Sequence, residues 1–251
     1  MPHLRLTLRL LAIIAALLIA LPLHGSWRLF GRPSPWPRRF LGIVARIAGA
    51  RTTVLGRPLA RDVVFVANHL SWIDILVIAG ATGSAFVAKS DLRSVALIGW
   101  LCTLNHTIFV ARGDRLGVAQ QIASLRAALA TDRPVTIFPE GTTGDGRTLL
   151  PFKAALLGAL DPPPPGLRVQ PVRVDYGAAN DAVVWGETSG QAHALALLGR
   201  RGTFTATLAF AEAFDPADFG NRKAIAAQAR SRVETLGQIE ALALRRGPAP
   251  L

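Results

Sequence analysis

Residues 63–78 read VVFVANHLSWIDILVI. Four consecutive apolar residues, Val63, Val64, Phe65 and Val66, predict a strand buried on both faces, the pattern of a parallel sheet covered by helices. The polar break Ala67-Asn68-His69-Leu70-Ser71 then runs into an apolar helix. A strand end leading into a helix start is where α/β proteins place chemistry, because the scaffold is rigid and the turn is open. Two titratable groups fall there, His69 and Asp74. Five residues apart, they would not share one face of a continuous helix. With His69 in the turn and Asp74 in the first helical turn, the carboxylate can hold one imidazole nitrogen and leave the other as a base. A structural reading stands beside this one. Ser71-x-x-Asp74 has the spacing of a capping box, which would make Asp74 a cap and His69 an ordinary loop residue.

Working outward, strands and helices alternate. A short strand over 84–89 ends at Lys89, and an apolar helix is expected over 92–104. A strand over 106–111 runs into Arg112-Gly-Asp-Arg115. Val118, Ile122, Leu125 and Leu129 keep helical spacing. The strand over 134–138 ends at Pro139-Glu140-Gly141-Thr142-Thr143. This alternation predicts an α/β fold with a central, mostly parallel sheet flanked by helices. Strand ends carrying Lys89, Arg112 and Glu140-Gly141 would then lie on one edge with His69. Further on, residues 141–146 form a loop, Phe152-Lys153 follows it, and Pro162 to Pro165 reads as a rigid surface connector. Strands are expected over 169–174, 182–185 and 203–210, and a terminal helix over 221–246.

The chain has 251 residues, 28 Lys and Arg against 16 Asp and Glu, and a net charge of +12 with 51% hydrophobic residues. That length holds one α/β domain with an appendage. Basic and apolar together point to an anionic membrane surface or to acidic partners. Nucleic acid as a partner is disfavoured, since there is no block of Lys and Arg to track a backbone and no recognisable nucleic-acid module. The single cysteine, Cys102, leaves no intramolecular disulfide and no cysteine-rich metal site.

At the N-terminus, residues 10–23, LLAIIAALLIALPL, carry no charge. Three readings fit: a signal peptide, though without a small-x-small cleavage site; a full span, which needs roughly 20 residues; and a helix embedded in one leaflet. Arg28, Arg32, Arg38 and Arg39 follow and favour the cytoplasmic side. Residues 36–50 are amphipathic, with Trp27 and Trp36 suited to headgroup level, and read either as an interfacial helix or as a helix packed on the domain. Residues 1–50 are thus expected to be membrane-embedding and interfacial helices, and residues 51–251 the α/β domain.

Several chemistries lack their parts. There is no Gly-x-Ser-x-Gly elbow for an acyl-serine, and no P-loop or Gly-x-Gly-x-x-Gly for a nucleotide. His3, His24, His106 and His193 are scattered, and no metal ligand set is expected. What remains is direct attack by a substrate hydroxyl, activated by His69, on an ester that is already activated.

Four segments, Asn68-His69-Leu-Ser71-Trp-Ile-Asp74, Ile108-Phe-Val-Ala-Arg112, Phe138-Pro139-Glu140-Gly141-Thr142 and Gln170-Pro171-Val172, resemble the ordered blocks of the glycerolipid acyltransferase family, in its bacterial 1-acylglycerol-3-phosphate acyltransferase type. The resemblance covers roughly residues 35–215. It implies a membrane-bound O-acyltransferase at the cytoplasmic face of a bacterial inner membrane. Such an enzyme moves a fatty acyl chain from acyl-carrier protein or acyl-CoA to a lysolipid hydroxyl, with no further cofactor. Carried over, His69 would be the general base and Asp74 its orienting partner. Lys89, Arg112, Glu140, Gly141 and Thr142 would line the acceptor head group, with Lys153 as a further cation. Two positions depart from the family. His106 stands where a glycine is frequent, and Thr143 where an arginine commonly follows Glu-Gly-Thr. The resemblance makes 1-acyl-sn-glycerol-3-phosphate the expected acceptor, giving phosphatidic acid; loss of that cation keeps a lyso-ornithine lipid, a phosphorus-free aminolipid, as the alternative. Arg147 could substitute from the loop. Two rivals remain: a non-catalytic lipid-binding protein on the same scaffold, and a thioesterase.

Overall fold

The computed structural model describes residues 2–110, 117–186 and 188–246. In chain order the elements are α1 (Pro2–Leu29), α2 (Trp36–Ala48), β1 (Ala50–Leu55), β2 (Val63–Ala67), α3 (Ile73–Thr82), β3 (Ala85–Lys89), α4 (Ala96–Leu104), β4 (Ile108–Val110), α5 (Gly117–Leu129), β5 (Val135–Ile137), β6 (Arg168–Asp175), α6 (Asn180–Val183), α7 (Gly190–Gly199), β7 (Phe204–Phe210) and α8 (Arg222–Arg246). The seven strands form one sheet in the order β1-β7-β6-β2-β5-β3-β4. Pairing is parallel throughout except at β6–β7, which is antiparallel.

The residues of β2 explain its central place. Val63, Phe65 and Ala67 face one apolar layer, while Val64 and Val66 face the other. All five are buried. The first layer is built by α2, α3 and α7; the second by α5, α8 and the short 3-10 segment Leu156–Leu160. Chains leaving the adjacent strands β2 and β5 go to opposite faces, to α3 and to Leu156–Leu160 respectively. Divergence of that kind opens a crevice at the C-terminal edge of a parallel sheet, and His69 and Glu140 stand there.

α2 resolves one open reading. Phe40, Val44, Ala45 and Ala48 are buried, and the helix crosses α3 so closely that a Cβ on Gly80 would stand 2.7 Å from the Gly42 Cα. Its apolar face belongs to the domain. α1 is long and apolar enough to cross a membrane by length and composition. It nonetheless lies along the domain, with Leu6, Ile13 and Leu17 against the first layer.

Other expectations change. The apolar run 182–185 is not a strand: α6 covers Asn180–Val183, and Trp185 donates its N–H to the Leu70 carbonyl at 2.8 Å. The helix expected over 92–104 is broken into a 3-10 turn, Ser90–Ser94, and α4. Gly99 packs too close to the Arg93 backbone for any side chain. β1 and α7 carried no signal that had been read. His106 has φ +57°, in the left-handed region. A glycine would take that conformation without strain.

Candidate active site

Asp74 sits in the first turn of α3 and is fully buried. Its Oδ2 accepts from the Leu70 N–H at 2.6 Å and the Ser71 N–H at 2.9 Å, and it lies 2.8 Å from His69 Nδ1. The Ser71 N–H and the His69 ring are therefore held by the same carboxylate. A carboxylate facing Nδ1 places the proton on that nitrogen, which leaves the Nε2 lone pair as the basic site. No described residue bonds Nε2, and the His69 side chain is 18% exposed. The imidazole is held flat by Phe138, whose ring stacks on it at 4.1 Å and 17°. Phe86 stacks behind Phe138 at 5.8 Å.

The turn itself is pinned from three sides. Asn68, buried, donates to the Val174 carbonyl at 3.0 Å and accepts from the Val174 N–H at 2.7 Å, extending the β2–β6 ladder by one side chain. Gly144 N–H donates to the His69 carbonyl at 2.7 Å. Trp185 satisfies the Leu70 carbonyl, and its own carbonyl accepts from the Thr143 hydroxyl at 3.0 Å. The backbone carbonyls of His69 and Leu70 thus find partners from distant parts of the chain.

Glu140 is buried beside this turn. Burial pushes its carboxyl up to about 8. The Asp74 charge adds to that rise, while the His69 backbone N–H, Arg230 and Arg173 oppose it. Its Oε2 has no hydrogen-bond partner. Near neutral pH the group is chiefly a neutral acid, able to donate as well as accept. Gly141 has φ +73°, and the Lys153 ammonium lies 3.3 Å from where a Gly141 Cβ would stand. Glycine here admits both the backbone turn and the passing cation. Thr142 is exposed on the same loop.

The structure thus brings His69, Asp74, Glu140, Gly141, Thr142 and Lys153 to one edge. Lys89 ends β3 on that edge, one strand beyond β5, and its side chain lies outside what is described. Arg112 lies outside the described residues. The fourth block serves the scaffold: Gln170 accepts from Leu59 N–H and donates to the Arg57 and Ala211 carbonyls. Sequence reasoning missed Tyr176, whose hydroxyl donates to Asp74 Oδ1 at 2.5 Å. It also missed His193, which accepts from Trp72 Nε1–H at 3.0 Å and stacks on Trp185. Each hydrogen bond joins residues more than 100 positions apart. A cleft of about 600 Å³ lined by Ala85, His106, Asp132 and Arg133 opens at the starts of β3 and β5, the edge opposite His69, and takes no part in this geometry.

The α/β scaffold carries a histidine–carboxylate pair at the open edge of its parallel strands, an arrangement suited to general-base chemistry. Residues 51–174 match the family described as Acyltransferase. The chain is 33% identical, over 93% of its length and 91% of the relative's, to the lyso-ornithine lipid O-acyltransferase of Rhodobacter capsulatus. It is 33% identical over 49% of its length, and 48% of the relative's, to the 1-acyl-sn-glycerol-3-phosphate acyltransferase of Neisseria gonorrhoeae. The crystal structure of the 1-acyl-sn-glycerophosphate acyltransferase PlsC from Thermotoga maritima superposes with a TM-score of 0.62 at 21% identity, covering 96% of this chain and 98% of that one, and shares the fold. The chain belongs to the acyltransferase family and is an O-acyltransferase acting on lysolipids.

Proposed function

We propose that the chain acylates the free hydroxyl of a lyso-ornithine lipid, taking the acyl group from the thioester of acyl-CoA or acyl-carrier protein at the cytoplasmic face of a bacterial inner membrane. His69 is the general base. The observation that carries the mechanism is the 2.8 Å contact of His69 Nδ1 with a fully buried, multiply bonded Asp74, which fixes the ring and leaves Nε2 at the rim. Nε2 takes the hydroxyl proton as the lipid oxygen attacks the thioester carbonyl. The tetrahedral centre collapses, the C–S bond breaks, and the proton passes to the departing thiolate. No acyl-enzyme forms: the nearby Ser71 hydroxyl is buried and faces the start of α3, accepting from the Ile73 N–H at 3.5 Å. Neutral Glu140, Lys153 and the loop from Gly141 flank the acceptor.

Two observations favour the ornithine acceptor over lysophosphatidic acid. The lyso-ornithine relative aligns along nearly the whole chain, the phosphate-accepting one along half. Thr143, where an arginine is common, uses its hydroxyl to tie the loop to Trp185 and supplies no charge. Purified protein is offered each lysolipid separately with acyl-CoA or acyl-carrier protein. Thiol release is followed and the products are read by mass spectrometry. Acylated ornithine lipid should dominate. Phosphatidic acid as the sole product would replace this acceptor, and thiol release without acceptor would indicate a thioesterase. His69→Ala should lose about 10²–10⁴-fold in kcat with the fold retained. Asp74→Asn should lose both activity and stability, because an amide cannot accept on both of its terminal atoms. A His69→Ala protein with native turnover removes the base from this scheme.

A further inference from the structure

We infer that Tyr176 is a positioning residue for the reaction: its buried hydroxyl locks the outer oxygen of Asp74, so that the carboxylate can hold His69 in one orientation. This rests on His69 acting as the base.

The geometry is specific. Three donors converge on Asp74 Oδ2, namely the N–H groups of Leu70 and Ser71 and the His69 ring. A carboxylate engaged on one oxygen alone can rotate about χ2, and each rotation would release the imidazole. Tyr176 closes that freedom by donating to Oδ1 at 2.5 Å. No water can substitute, since Asp74 is 0% exposed and Tyr176 2%. The phenol ring is itself braced edge-on by Phe204, at 5.8 Å and 72°. Tyr176 follows directly on β6, and two residues earlier Val174 clamps Asn68. One strand end therefore holds both the turn that carries the base and the carboxylate behind it. Burial, reinforced by the Asp74 charge, keeps the phenol protonated far above neutral pH, so it acts as a constant donor. A hydrogen bond to a charged acceptor is worth roughly 1.5–3 kcal/mol, and in a buried network its loss is felt by the other partners.

Tyr176 is the chain's one tyrosine, which allows a test without altering the packing. Tyr176→Phe and protein grown on 3-fluorotyrosine are compared with the unmodified enzyme. Removing the hydroxyl leaves more carboxylate charge facing the imidazole, so the pair keeps its proton to higher pH. The acid limb of the kcat/KM profile should move up, with kcat down about 10-fold and KM within twofold. The fluorinated phenol is a stronger donor and should move the acid limb down. Its ¹⁹F resonance should titrate along that limb and cease to do so in His69→Ala. A structural role alone predicts a changed melting temperature with neither profile shift nor ¹⁹F titration, and that result overturns the inference. Should Tyr176→Phe fail to fold, the fluorotyrosine protein decides alone. An active His69→Ala would defeat the base assignment itself. An inactive His69→Ala beside unshifted profiles in both Tyr176 proteins would defeat only this inference.

Discussion

At the scale of single residues, the buried acid Glu140 links stability to pH in an uncommon direction. Its carboxyl is raised to about 8 in the folded protein by burial, against an ordinary value of 4.5. Between those values the folded state holds a proton that the unfolded chain has lost, so stability is full below about pH 4.5 and falls as pH rises toward 8. Glu140→Gln keeps a neutral, hydrogen-bonding group and removes that dependence. Denaturant titrations at pH 5 and pH 8.5 should show the variant gaining on the parent as pH rises. A constant difference between the two would mean that the carboxyl is not held neutral. The His69–Asp74 contact was legible in the sequence because strand, turn and helix start are local, so both residues are placed by their neighbours. Tyr176 was not legible. It reaches Asp74 from 102 residues away, and only the placement of β6 beside β2 brings them together. Local periodicity carries no information about that order.

At the scale of elements, the strands that could be read were those with a clear apolar pattern, continuous in β2 or alternating in β7. β2 and β5 are buried throughout, and in β6 the apolar Val169, Val172 and Val174 are interspersed with Gln170, Arg173 and Asp175. β1 was missed because it is an edge strand with one buried residue, Ala50, followed by five exposed ones, which leaves no alternation to detect. The run 182–185 was misread because four apolar residues do not distinguish a strand from a turn of helix. Its conformation is set by Trp185 reaching Leu70. The α2–α3 crossing makes a sharper test. A Cβ on Gly42 would meet the Gly80 Cα at 3.5 Å, an ordinary contact, whereas one on Gly80 would approach the Gly42 Cα to 2.7 Å. Alanine in a helix gains about 0.5–1 kcal/mol over glycine, while overpacking costs about 1–3 kcal/mol. Gly42→Ala should therefore be neutral or stabilising and Gly80→Ala destabilising, measured by thermal unfolding. Equal effects would mean that the helices are farther apart than described.

At the scale of the molecule, the question is how a protein with net charge +12 and an apolar first helix meets the bilayer. Leu4, Leu8, Leu11, Ile14 and Leu18 are each more than half exposed and recur at helical spacing along one side of α1. The other side is occupied by the domain. Near its start, Arg5 donates to the Gly199 carbonyl, and Arg9 to the carbonyls of Leu197, Leu198 and Gly202, which satisfies the C-terminal end of α7. Further along, Ala20 is buried in the core. A transmembrane orientation would pull α1 off this surface and strand those guanidinium groups in hydrocarbon, where each unsatisfied group costs several kcal/mol. We therefore expect α1 to lie in one leaflet, apolar stripe inward, with both ends on the side of the domain. In a Cys102→Ala background, single cysteines at His3, ahead of the stripe, and at Ser26, on protein bound to sealed vesicles, should both react with an impermeant maleimide added outside. Protection of one end alone would mean that α1 crosses. Leu11→Ser with Leu18→Ser should weaken vesicle binding about 10-fold or more, from the transfer free energy of two leucine side chains, without lowering the melting temperature. A fall in melting temperature instead would show that the stripe packs on protein.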